Sequence, residues 1–295
     1  VQALRIILVA WRRLSRRSKG LAEKLGAEIK VFPQGPPYIK AYRETSVFLE
    51  ESRPSIVIGQ LPQGPLLWAL LRLKDRVGYL LVADVHTGFL VHENIKSWIL
   101  NRPFKRMLRK ADLTLIHNPL MEKLLPKGAK HLVLYDPPPP ILKHTGKRIG
   151  YKYLLVPAAW APDEPLEYIV REYYSSSLGE RGVKLVITGN NARRPRLSAR
   201  LASVPGVALT GFISDEEYYG MMRQALAVIA ATTREYTMLS AAWEAMAYGK
   251  PLIASDTRTL RHMLGDAALY FNPNIRGSLR EALSSLSGER LGEMA

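Results

Sequence analysis

The chain has 295 residues, 47% apolar and 23% charged, which is ordinary for a globular protein and long enough for two domains. It contains no cysteine, which excludes disulfides, thiolate metal sites and cysteine nucleophiles. Its net charge of +16 is uneven: residues 1–150 hold 26 Lys/Arg against 11 Asp/Glu, and residues 151–295 hold 16 against 15. The first half is therefore suited to an anionic partner, or presents a solvated basic surface.

In chain order, short apolar runs rich in β-formers alternate with helical patterns. Strands are expected at 4–10, 28–32, 55–60, 79–84, 113–117 and 131–134. Amphipathic or basic helices between them include 15–25, 39–51 and 95–110. Continuous apolar strands separated by helices predict parallel sheets covered on both faces. The run YDPPPPI, residues 135–141, then interrupts the pattern, because four prolines suit neither a helix nor a central strand. Beyond it the rhythm restarts, with strands at 153–158, 184–188, 207–209, 227–231, 251–255 and 268–271 and helices at 166–175, 215–224, 241–248 and 276–286. This organisation predicts an N-terminal Rossmann-like domain over 1–136, a Pro-rich linker over 137–150 and a C-terminal Rossmann-like domain over 151–295. Ligands of such sheets collect at the carboxyl ends of the strands.

The longest apolar run, 61–73, is interrupted by two prolines and a glycine and falls short of the ~20 residues of a membrane span. Residues 1–11 lead into charges without a cleavage site, so no signal peptide and a cytoplasmic location are expected. The Walker pattern, the G-x-G-x-x-G fingerprint and H-E-x-x-H are absent from the sequence, which removes the usual evidence for P-loop, dinucleotide and zinc chemistry.

The most informative stretch is AATTREYTMLSAAWEAMAYGKPLIASDTRTLRHML, residues 230–264. A strand ends near Ala231, a polar loop follows, Ser240 is placed as N-cap, and Gly249 stops the helix. The amides of Thr237, Met238, Leu239 and Ser240 then stand at a helix N-terminus, where a diphosphate can bind. Glu244, one turn inside, either interacts with the helix dipole or accepts hydrogen bonds from sugar hydroxyls.

EAMAYGKPLIAS (244–255) resembles the second half of a pattern in retaining glycosyltransferases of the GT-B fold, the group 1 enzymes that include glycogen synthases and mannosyltransferases. VPAAWAPDEPLE (156–167), LVITGN (185–190) and LTGFISDEEYYGMMRQA (209–225) follow the same family's order. RRSKGLAEKLGA (16–27), DVHTGF (84–89) and DPPPP (136–140) fit one of its branches. The resemblance implies two Rossmann-like domains and transfer of a sugar, with retained configuration, from a nucleotide-diphosphate sugar to an acceptor. By the same resemblance Glu244 binds the ribose, and Thr237, Met238, Leu239 and Ser240 offer amides to the diphosphate. Gly189, Asn190, Thr210, Gly211 and Phe212 line the phosphate and base pockets. His86 faces the reacting sugar, with Asp84, Thr87 and Gly88 on the acceptor side; the alternative for His86 is a turn closed with Asp84. Glu235 is the second catalytic candidate.

The chain departs from the pattern in two places. Eight residues separate Glu235 from Glu244 where the family has seven, so either a one-residue bulge restores the aim of Glu235 at the donor sugar or Glu235 is a surface residue. The place of a usual basic pair reads Asp163-Glu164-Pro165, and Arg193, Arg194 or Arg196 has to supply the cation. Neither a metal nor another cofactor is expected. The expected partners are a nucleotide sugar, an acceptor glycan or lipid-linked sugar and, at the inner face of the membrane, an anionic surface; no nucleic acid is expected. The helix over 95–110, with Trp98 and Phe104 among basic residues, suits either such a surface or packing on its own sheet. Two alternatives share the fold: a non-catalytic protein that binds a sugar nucleotide or a partner, and a sugar-nucleotide epimerase. The residues after Leu286 look too few for the C-terminal helix with which such proteins usually return to the first domain.

Overall fold

The computed structural model describes residues 4–92, 95–142 and 148–285; the expectation for the segment after Leu286 lies outside them. The chain divides into two compact units, Val1–Pro137 and Pro138–Ala295.

Unit 1 contains β1 (Ile6–Trp11), α1 (Arg16–Leu25), β2 (Glu28–Phe32), α2 (Ile39–Ser52), β3 (Ile56–Leu61), α3 (Gly64–Val77), β4 (Leu80–Val85), α4 (Thr87–Leu90), α5 (Ile95–Lys105), β5 (Leu113–Ile116) and β6 (His131–Val133). The strands form one sheet in the order β2-β1-β3-β4-β5-β6, and neighbouring strands are parallel. β1 and β3 are buried almost throughout, as expected of apolar strands covered on both faces. A Cβ on Gly59 in β3 would stand 2.5 Å from Leu70 Cδ1, so glycine lets α3 lie close to the sheet. Ser15 caps α1, its hydroxyl accepting from Ser18 N at 3.0 Å, and Gly26 ends the helix at φ 61°, a conformation that costs glycine little. The helix expected over 95–110 ends at Lys105 and tightens into a 3₁₀ segment over Arg106–Lys110.

Unit 2 contains β7 (Tyr153–Val156), α6 (Leu166–Tyr174), β8 (Lys184–Thr188), α7 (Pro195–Ala202), β9 (Val207–Gly211), α8 (Asp215–Gln224), β10 (Ala227–Ala230), α9 (Ser240–Ala247), β11 (Leu252–Ser255), α10 (Arg258–Leu264), β12 (Leu269–Phe271) and α11 (Ser278–Ser284). Its sheet runs β12-β11-β10-β7-β8-β9, again parallel throughout. One apolar cluster gathers Trp160, Ile169, Tyr173 and Leu185, and another gathers Leu155, Tyr219, Met222 and Ala245. α8 opens with a capping box in which Ser214 and Glu217 satisfy each other's backbone N–H groups.

The proline run is held at both ends. In unit 1, Arg17 Nη1 donates to Asp136 Oδ1 at 2.8 Å. In unit 2, the Tyr248 hydroxyl donates to Pro140 O at 2.9 Å and accepts from Leu142 N at 3.1 Å.

Candidate functional site

In the sheet of unit 2, β7 is the first strand in sequence and lies between β10 and β8. The connections therefore leave in opposite directions from β7 and β10, which makes this the switch point at whose carboxyl edge doubly wound sheets bind ligands. Asp163 ties these two loops together. Its carboxylate accepts from Thr232 Oγ1 at 2.7 Å and Arg234 Nη2 at 3.1 Å, and its carbonyl accepts from Thr233 N at 2.8 Å. Glu164 folds back on its own loop and accepts from Ala159 N at 2.8 Å and Ala161 N at 3.0 Å. Burial raises its pKa against the pull of those N–H groups. Both carboxylates at the place of the expected cations are thus engaged in shaping the loop.

On the other side of β7, Gly189 follows β8 at φ 94°, and a Cβ there would stand 1.8 Å from Ala158 O. No other residue fits this approach of backbone to backbone. Trp160 Nε1 donates to Thr188 O at 3.0 Å, Arg193 Nη1 to Ala159 O at 2.6 Å and Gly189 N to Gly211 O at 3.0 Å. The loops after β7, β8 and β9 therefore form one assembly that brings together Gly189, Asn190, Arg193, Arg194, Thr210, Gly211 and Phe212. Phe212 is 84% exposed and offers a free ring face at the end of β9.

The loop after β10 carries the remaining residues. Tyr236, at φ 60°, donates its N–H to Thr259 Oγ1 at 2.8 Å. The Glu235 carboxylate accepts from Arg258 N at 3.1 Å and Thr259 Oγ1 at 3.3 Å, which sets it on the first turn of α10. Ser240 is the first helical residue of α9 and not its N-cap; Leu239 takes that place at φ −93°, ψ 127°, with no side-chain cap. The loop closes one residue earlier than its polar pattern suggests, and the first turn of α9 holds no acidic residue. Thr237 is half-buried beside Glu235, its hydroxyl 3.4 Å from Glu235 O, while the Met238 side chain enters the core. Glu244 is buried at 4% exposure and accepts a hydrogen bond from the Tyr218 hydroxyl.

In unit 1 the carboxyl edge of the sheet holds a polar cluster. Asp84, fully buried at the end of β4, accepts from Arg17 Nε at 3.0 Å and Ser18 Oγ at 2.8 Å. His86 Nε2 stands 3.7 Å from Asp84 Oδ2 and 3.5 Å from Ser18 Oγ. Burial would raise the pKa of Asp84, but His86, Arg17 and Ser18 outweigh it and hold the carboxyl well below the usual range. Burial likewise opposes the charge on Arg17, yet Asp84 and Asp136 raise its pKa. Thr87 is buried against His117, Oγ1 to Nε2 2.9 Å, and Asn118 Nδ2 stands 3.2 Å from His117 Nδ1. Burial lowers the pKa of His117 to about 4. Of the residues expected on the acceptor side, Asp84 and Thr87 are therefore buried, Asp84 beside His86 and Thr87 against His117. Gly88 is half-buried, its carbonyl accepting from Asn101 Nδ2 at 3.1 Å.

The sequence reading missed Arg17, Asp136, His117, Arg234 and Tyr218. Only proximity in the fold relates them to the site, since Arg17 and Asp136 are 119 residues apart. Among the described residues no group of three or more His, Asp or Glu stands ready to hold a metal ion, and no helix is long and apolar enough to cross a membrane.

Residues 152–288 match the family model of glycosyl transferases group 1. No curated protein matches the chain by sequence. Among solved structures, HepE of Anabaena in complex with UDP and glucose is similar at 13% identity and TM-score 0.75, covering 97% of this chain and 83% of that one. Sucrose-phosphate synthase from Thermosynechococcus elongatus gives 13% identity and TM-score 0.73, covering 98% and 92% of the two chains. A glycosyltransferase from Rickettsia africae gives 13% identity and TM-score 0.69, covering 99% and 91%. The fold is that of the GT-B glycosyltransferases, as the motifs imply.

Proposed function

We propose that this chain, whose second unit is a group 1 glycosyltransferase domain, transfers a sugar from a nucleotide-diphosphate sugar to an acceptor with retention of configuration. The observation that carries the reading is the family match over unit 2, within which Glu244 stands as the buried carboxylate of an otherwise apolar helix. Glu244 is assigned to the ribose. The uncapped start of α9, with the amides of Thr237, Met238, Leu239 and Ser240, is assigned to the diphosphate. The assembled loops at Gly189, Asn190 and Thr210–Phe212 take the base and phosphates, with Arg193 and Arg194 at hand to offset their charge.

Sugar transfer develops positive charge at the anomeric carbon and negative charge on the departing diphosphate. Fixed amide dipoles and a guanidinium stabilise that leaving group without reorganisation as the bond breaks, so no metal is assigned. His86, backed by buried Asp84 and Ser18, is the candidate catalytic group toward the sugar. Glu235 braces the loop against α10, and that placement favours the second reading, a non-catalytic protein that binds a sugar nucleotide. Unit 1, with its cationic excess, is assigned to an anionic or lipid-linked acceptor. The exposed Ile95, Trp98 and Ile99 of α5, with Arg102 4.5 Å from the Trp98 ring centre, suit an anionic membrane surface.

Thermal unfolding with UDP, GDP and ADP, and with their sugars, tests this. A nucleotide at 100 times its Kd stabilises the protein by about 2.7 kcal/mol. A shift selective for one base and lost in Glu244→Ala supports the donor site. Turnover of the matching sugar nucleotide with acceptor separates the transferase from the non-catalytic reading, and NMR of the product's anomeric proton reports the configuration. No shift with any nucleotide would sink the proposal.

A further inference from the structure

We infer that Tyr218 is a positioning residue for Glu244 and thereby sets how strongly the donor site prefers a ribonucleotide over its 2′-deoxy counterpart, resting on the reading of Glu244 as the ribose ligand. α9 has the sequence SAAWEAMA. After Ser240 it offers alanines, a tryptophan and a methionine around Glu244, with no hydroxyl or cation among them. A glutamate side chain has three rotatable bonds, so the groups it meets decide where its carboxylate points. One hydrogen bond that holds it comes from a neighbouring helix: the Tyr218 hydroxyl, on α8, donates to Glu244 Oε2.

Tyr218 is itself held in place. It lies one residue past the capping box that fixes the start of α8, and it is buried. Its ring meets Tyr219 edge-on, with centroids 5.1 Å apart and planes at 66°. Tyr219 stacks on Tyr248 at 5.4 Å and 7°, and Tyr248 is pinned through its hydroxyl to Pro140 O and Leu142 N. Three rings in series thus fix the position of one phenolic hydroxyl. A donor that holds one carboxylate oxygen narrows where the other can point, and two adjacent ribose hydroxyls are best accepted by a carboxylate so restricted. Orientation by a rigid supporting group is what gives a polar contact its selectivity. Tyr218→Phe keeps the ring ladder and removes only the donor.

The test is the ratio of affinities for UDP and 2′-deoxy-UDP, measured by calorimetric titration on wild type, Tyr218→Phe and Glu244→Ala. If thermal shifts select GDP or ADP, that nucleotide and its 2′-deoxy form replace the pair. Both ligands of a pair see the same preparation, so any unfolded fraction cancels in the ratio. A hydrogen bond to a charged group is worth roughly tenfold or more. The expected result is a wild-type preference of that order, largely lost in Tyr218→Phe with 2′-deoxy-UDP binding unchanged, and abolished in Glu244→Ala. A Tyr218→Phe ratio equal to wild type, with the Glu244→Ala ratio collapsed, overturns the role of Tyr218 and leaves the ribose assignment standing. A ratio unchanged in both variants overturns the ribose assignment and the inference together.

Discussion

Replacing His117 by glutamine should remove a pH-dependent weakness built into unit 1. His117 is buried between Thr87 and Asn118, with the Asn118 amide nitrogen 3.2 Å from Nδ1 and Thr87 Oγ1 2.9 Å from Nε2. A neutral ring donating from Nε2 and accepting at Nδ1 satisfies both neighbours. Protonation would place a second N–H against the amide and bury a charge. Burial accordingly lowers the pKa from 6.5 to about 4. A group whose folded pKa is depressed leaves the unfolded chain holding more protons between the two values, so stability falls as pH falls. The contribution of His117 is complete above about pH 7 and fades as pH drops through 6.5 toward 4. At 1.36 kcal/mol per pKa unit, the loss is about 2 kcal/mol by pH 5 and about 3 kcal/mol by pH 4. Urea unfolding of wild type and His117→Gln at pH 7.5, 6, 5 and 4.5 isolates this effect, because every other group titrates in both proteins. The wild type should lose about 2 kcal/mol more than the variant between pH 7.5 and 5. Parallel curves would refute the assignment of His117 as a buried neutral ring.

Two further outcomes follow from the same geometry. Gly189→Ala meets Ala158 O head-on at a positive φ, so it should destabilise unit 2 by at least about 1–3 kcal/mol and weaken nucleotide binding in the same preparation; thermal melts with and without nucleotide check both. Arg17→Met strands the fully buried Asp84 and should cost about 3–5 kcal/mol, a fall in Tm on the order of 10 °C. Adding Asp84→Asn should recover part of that fall, and no recovery would show that the lost packing of Arg17, not the stranded charge, is responsible.

The central strands could be read because β1, β3, β7 and β10 are nearly continuous apolar runs, the pattern that a parallel sheet covered on both faces demands, while the edge strand β2, EIKVF, shows only an alternation. The helices were less legible, and their prolines explain why. Gly64 and Pro65 interrupt the apolar run over 61–73, yet they open α3, and Pro195 opens α7, a helix that was not among those expected; a missing N–H costs nothing in a first turn and the fixed φ is already helical. Glu244 stood out as one carboxylate in an apolar helix, whereas its partner Tyr218 lies 26 residues away with no local sign of the contact. The Glu235 anomaly was visible as a spacing. Its resolution, with Tyr236 at a positive φ and the carboxylate on α10, depends on the tertiary contact with Thr259. Asp163 and Glu164 looked like a missing cation, but their engagement with Thr232, Arg234 and the backbone of their own loop emerges only when the loops meet. Charge pattern in a sequence shows which residues are present. It does not show which of them neutralise one another.

The proline run has a mechanical consequence. Asp136 is anchored on Arg17, and the carbonyl of Pro140 is anchored on Tyr248, so only Pro137, Pro138 and Pro139 lie between the fixed points. Each pyrrolidine ring locks its φ, and since each of these residues precedes another proline its ψ is confined to the extended range as well. Such a segment behaves as a short stiff rod, at about 3 Å per residue, and not as a string. The buried arginine thus serves two carboxylates at once, Asp84 at the end of β4 and Asp136 at the start of the proline run, so one side chain sets both the entry to that run and the buried charge beneath His86.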